Sequence, residues 1–125
     1  MEKLYQAEKI IKNAGISAPE DDYPAYVAVQ KSYLYWLVHD KNKRDRRAPM
    51  FKNMFMVPAN FDLPDHRLKN IVYFCEKTIT RYRREYLAMF YEDYEYLKTL
   101  PQEELEIVCK ALKTMIQEHD LPENA

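Results

Sequence analysis

Glycine is almost missing from this chain of 125 residues: one is present, Gly15. β-Hairpins and phosphate-cradling loops rely on glycine for positive φ, so its scarcity argues against both and in favour of helices. Long apolar runs are missing as well. None exceeds six residues, the length of Tyr33 to Val38, whereas a bilayer-spanning helix needs roughly 20. The Met1 to Lys12 stretch is charged and amphipathic, unlike a secretory signal. A soluble, cytoplasmic protein with no membrane partner is therefore expected. Cysteine is limited to Cys75 and Cys109, too few and too isolated for a disulfide framework or a zinc site, so both are expected to be reduced core residues.

The local signatures of common chemistry are absent too. The chain has no Gly-rich loop, Walker lysine, HExxH, CxxC or GxSxG, which argues against nucleotide, zinc and acyl-transfer chemistry. Its three histidines each have a structural reading: His39 and His119 near helix C-terminal ends, where a cation suits the dipole, and His66 at a helix start. Glu85, Glu92 and Glu95 read as solvated acids. No catalytic residue, metal or cofactor is expected.

What is present fits an all-α, single-domain bundle of about four main helices. The hydrophobic share is 47% and the seven prolines fall between segments, enough apolar surface for one core. Glu2 to Asn13 carries Leu4, Ala7 and Ile11 at helical spacing, with Gly15 as the expected C-terminal stop. Asp21 or Asp22 is placed to cap a second helix running to about His39, with Pro24 in its first turn. Tyr26, Val29, Tyr33, Trp36 and Leu37, flanked by Val27, Leu34 and Val38, cover more than half its circumference, so it should be largely buried. An irregular, basic and Met/Phe-rich connection spans about 40–62, and a frayed tail spans 122–125.

The longest uninterrupted stretch is Asp65 to Leu100, without glycine or proline. Leu68, Val72, Cys75, Ile79, Tyr82, Tyr86 and Met89 alternate spacings of four and three, a heptad seam. Asp93 breaks it, and the stripe resumes shifted at Phe90, Tyr94 and Leu97. One long central helix over about 63–100, capped by Asp62, is expected, the shifted stripe marking either a kink near 90–93 or a change of packing partner there. Straight, the part from Asp65 to Leu100 alone would be roughly 54 Å long, beside a radius of gyration of about 14 Å for a compact domain of this size. A last helix begins after Thr99, which forms a capping box with Gln102.

Charge is unevenly distributed. Residues 40–84 carry 12 basic and 5 acidic groups, net +7, whereas residues 85–125 carry 3 and 10, net −7. Two functional expectations follow. In the first, a non-catalytic regulator or adaptor works through a protein partner or self-association, with Met50, Phe51, Met54 and Phe55 as an adaptable apolar contact surface. A plug of the core is the plainer reading of those four residues. In the alternative, nucleic acid is bound by Lys41, Lys43, Arg44, Arg46, Arg47, Arg81, Tyr82, Arg83 and Arg84, cations for phosphates with rings for stacking. Internal pairing with the acidic third is the plainer reading there.

Overall fold

The computed structural model describes residues 2–40, 46–72 and 74–120. Among them are six α-helices and no strand: α1 (Glu2–Ile10), α2 (Tyr23–His39), α3 (Arg47–Phe55), α4 (Asp65–Val72), α5 (Glu76–Leu97) and α6 (Gln102–Asp120). A π-helical turn (Ile11–Gly15) extends α1, and a 3₁₀ turn (Pro58–Asn60) follows α3. The all-α class holds, with six helices where about four main ones were expected. No described helix is long and apolar enough to cross a membrane.

The organising element is α2 rather than the long stretch. Asp22 caps it, accepting from the Ala25 amide at 3.4 Å, with Pro24 in the first turn. Ala25, Val27, Ala28, Val29 and Tyr33 are buried, and α3, α5, α6 and the π-helical turn all pack on it. Gly15 is not a left-handed stop, since no glycine here has positive φ. Its reason is space: a Cβ there would lie 3.0 Å from the Val29 methyl.

The stretch expected to be one helix is two, α4 ending at Val72 and α5 beginning at Glu76, and α5 is continuous through 90–93, where a kink or a change of packing partner was the expectation. Ile71, Val72, Tyr73, Phe74 and Cys75 all belong to the weaker helix formers, and Cys75 adopts extended backbone with ψ 159. Asp65 at the start of α4 accepts from Thr80 at 3.0 Å and from Arg83 at 2.6 Å, both on α5. In a straight helix residues 65 and 80 would be about 22 Å apart, so α4 doubles back on α5. Asp93, the seam-breaking acid, needs no bend: it pairs with Lys31 of α2 at 2.7 Å while Phe90, Tyr94 and Leu97 stay buried.

Two expected caps also differ. Asp62 lies outside α4, whose first amide bonds go to the Pro64 carbonyl. Thr99 donates to the Tyr96 carbonyl at 2.7 Å, closing the end of α5 instead of opening α6, and Gln102 donates to Glu106. The tail at 122–125 lies outside the described residues.

Candidate nucleic-acid interface

The inward side of α5 is fixed by burial of Ile79, Tyr86, Leu87, Phe90, Tyr94 and Leu97. At 100° per residue, Lys77, Arg81 and Arg84 then fall within about 60° of one another on the opposite side. All three are exposed, and with Glu76 and Thr80 they line a shallow depression of about 490 Å³. The stripe runs on through exposed Ala88 and turns acidic at Glu92 and Glu95. Its basic part is therefore confined to the first three turns of the helix.

Neighbouring acids are drawn elsewhere. Asp65 and Glu8 both hold Arg83, at 2.6 Å and 3.2 Å, and Glu85 pairs with Arg47. Among the described residues, neither Lys77 nor Arg84 forms an ion pair, and Arg81 lies 5.1 Å from the centre of the Tyr82 ring. Glu76 is the one acid lining the depression. Arg67 and Lys69 of α4 are exposed as well.

The expected basic set therefore divides. Arg81 and Arg84 stand on this face, and Tyr82 is half-buried beneath it. Arg46 is exposed in a left-handed conformation, φ 51. Arg83 is turned into the α1 and α4 contact and does not face outward. Arg47 is an interior residue: its guanidinium lies 3.9 Å from the Trp36 ring centre and 3.9 Å from that of Tyr82. Burial pulls its pKa down, but hydrogen bonding with Tyr86 and Glu85 outweighs this and leaves it raised. Asp40 accepts from the Arg47 and Ala48 amides at 3.2 Å and 2.9 Å, capping α3 from the end of α2. Lys41, Lys43 and Arg44 lie outside the described residues.

The apolar set is corrected outright as an exposed surface. Met50, Phe51 and Phe55 are fully buried and Met54 is 2% exposed. Phe51 and Phe55 pack on each other and on the Tyr86 ring. Turning such side chains out to solvent costs about 1.5–3 kcal/mol each, so in this fold they plug the core. Cys109 is buried as expected, whereas Cys75 is exposed because the helix breaks at that point. The Thr78 hydroxyl beside it lowers its thiol pKa.

The histidines are exposed, and His39 stacks on Tyr35 with ring centres 4.0 Å apart. Among the described residues no group of three or more His, Cys, Asp or Glu is placed to hold a metal ion.

Two surfaces escaped the sequence reading. Lys77 belongs to the stripe, and its spacing of four and seven to Arg81 and Arg84 was the available signal. On α6, Ile107 is 70% and Met115 45% exposed; with Lys110, Ala111 and Thr114 they line a shallow groove of about 400 Å³. Comparison with family models, with curated proteins and with solved structures finds no match.

Proposed function

We propose that this chain is a non-catalytic helical protein that binds nucleic acid through the outer face of α5, in a regulatory role. The observation that carries this reading is the stripe of Lys77, Arg81 and Arg84, three exposed cations on one face beside a single acid, Glu76, while Asp65 and Glu85 are taken by Arg83 and Arg47. Cations without internal partners suit phosphates, whose neutralisation releases condensed counterions. Titrating labelled DNA and RNA oligonucleotides at increasing salt tests it. Binding is expected to weaken with a log–log slope of about −2 to −3, the value for roughly three phosphates. No binding at low ionic strength would remove the reading.

A second reading, protein contact, rests on α6. Its inner side, Leu105, Cys109 and Leu112, is buried, which leaves Ile107, Ala111 and Met115 as an apolar stripe facing away. Self-association is the occupant it fits: a two-fold antiparallel pairing sets Ile107 of one copy against Met115 of the other, with small Ala111 at the crossing. Sedimentation equilibrium showing a monomer at high concentration, unchanged by Ile107→Asp, would end it.

A further inference from the structure

The outer face of α5 carries its charges in a symmetric order. Lys77, Arg81, Arg84, Ala88, Glu92 and Glu95 are all exposed, and at 100° per residue they fall within about 40° of Ala88. Arg84 and Glu92 stand four residues to either side of Ala88, Arg81 and Glu95 seven. Along the axis these separations from Ala88 are about 6 and 10.5 Å. Basic positions before the alanine are thus mirrored by acidic ones after it, at matching spacing. Among the described residues neither Arg84 nor Glu92 forms an ion pair. Glu95 contacts Tyr91 and, at 3.3 Å, Lys98 of its own helix, an exposed pair weak enough to be shared.

We infer that α5 pairs through this face with the α5 of a second copy, antiparallel about a two-fold axis beside Ala88, and that nucleic acid competes with this pairing for Arg81 and Arg84. The pairing stands on the charge order alone; the competition rests on the nucleic-acid reading above and specifies how that site is regulated. In a two-fold antiparallel pair each residue meets the one equally far beyond the axis on the other copy. Arg84 then meets Glu92 and Arg81 meets Glu95, each twice. Lys77 reaches the C-terminal end of the second α5, where a cation suits the dipole. Ala88, the smallest side chain of the stripe, meets Ala88 at the crossing and lets the helix axes approach to about 8 Å. A parallel pair would set Arg84 against Arg84 and Glu92 against Glu92, so the direction is fixed by repulsion as well as attraction. A phosphate chain uses only the basic half of the stripe and is repelled by Glu92 and Glu95, whereas a second copy uses both halves. Pairing through a single helix face falls below the roughly 1,200 Å² of a stable interface, so the dimer is weak, salt-sensitive and readily displaced.

Sedimentation equilibrium of the full chain at low and high salt tests it. A monomer–dimer equilibrium is expected at low salt, with a dissociation constant of about 10⁻⁴ M, weakening as salt rises. Arg84→Glu and Glu92→Arg each set like charges opposite one another twice and are expected to weaken it at least about tenfold. The chain carrying both Arg84→Glu and Glu92→Arg is expected to recover the dimer, and the two single variants to pair with each other when mixed. Arg84→Glu combined with Glu104→Arg on α6 should recover nothing. Far-UV circular dichroism confirms that each variant is folded. A strict monomer at low salt, single variants that pair as the native chain does, a double variant that fails to recover, or a dimer lost instead on Ile107→Asp of α6 would overturn the pairing. A short DNA oligonucleotide at saturation is expected to replace the dimer by complexes of one chain. Oligonucleotide bound to an intact dimer would overturn the competition alone. No binding of nucleic acid would remove the broader reading and the competition while the pairing stood.

Discussion

Arg47 and Arg84 differ little as sequence, both in the basic middle of the chain, yet they end in opposite surroundings. Arg47 lies between the rings of Trp36 and Tyr82 with Tyr86 beside it, its side chain 20% exposed and paired with Glu85. The Tyr86 hydroxyl donates to its backbone carbonyl at 2.8 Å, and Asp40 takes its amide. One residue thereby ties α2, α3 and α5 together. Arg84, two residues before the buried Tyr86 and so about 200° round the helix from it, is exposed beside Lys77 and Arg81. A count of positive charge in the sequence thus overstates the charge presented outward, because a planar guanidinium serves equally well as a stacking plate inside an aromatic cluster.

The largest expected effect is on the interior side of this contrast. Arg47→Ala removes the plate between two rings and is expected to cost about 2–4 kcal/mol, read as a lower urea midpoint at unchanged slope. Arg47→Lys should recover only a minor part of it, since an ammonium cannot stack as a plane. A loss below about 0.5 kcal/mol for Arg47→Ala would mean the two arginines are equivalent after all.

Alkali should find the same cluster. Burial raises the Tyr86 pKa, against the opposing pull of Arg47, and burial with the Asp22 contact raises that of Tyr94. Groups whose protonated form is favoured by folding bind more protons folded than unfolded above pH 10, so stability is intact below that value and falls as pH rises past it. The slope should be at most about 1.4 kcal/mol per pH unit for each tyrosine. Absorbance near 295 nm, followed together with circular dichroism, should show these tyrosines ionising as the helices melt. Ionisation of all eleven tyrosines before any loss of helix would contradict it.

Tyr86→Phe separates packing from hydrogen bonding, since the ring stays and only the hydroxyl's bonds to Arg47 go. About 1 kcal/mol is expected by denaturant titration. The smallest effect belongs to the exterior: Lys77→Gln, Arg81→Gln and Arg84→Gln combined should change stability by less than about 0.5 kcal/mol while abolishing salt-dependent DNA binding. A large loss of stability from those three exchanges would place them in the same structural class as Arg47.

Much of this was legible in particular residues. Asp22 before Pro24 announced α2, and the apolar pattern of that helix announced the burial of Val27, Val29 and Tyr33, whereas Val38, expected inside as well, is 52% exposed near the end of the helix. Gly15 was visible, but its reason was not, because only the approach of Val29 from a distant segment shows that space is needed there. Thr99 and Gln102 had the spacing of a capping box, yet Thr99 finds a nearer acceptor in the carbonyl of Tyr96. The candidate site was legible in type and misjudged in membership: Arg81 and Arg84 were named, Lys77 was missed, and Arg47 and Arg83 are directed inward. The apolar Met50 to Phe55 segment was legible as a core plug or as a surface for partners, and it fills the core, a choice that hydrophobicity alone cannot make.

The sequence by itself determined the helical class, the position of α2 and its cap, and the concentration of positive charge before residue 85, because propensity, capping and composition act over a few residues. Tertiary structure alone decided where the Asp65 to Leu100 stretch divides. The helix ends at Val72 and starts again at Glu76 because Asp65 gains Thr80 and Arg83 by folding back, and Asp93 does not break the helix because Lys31 from α2 meets it. The same long-range contacts decided which arginines are stacked inside and which face solvent. Those partners are far apart in the chain, so their energies come into being only when the helices pack.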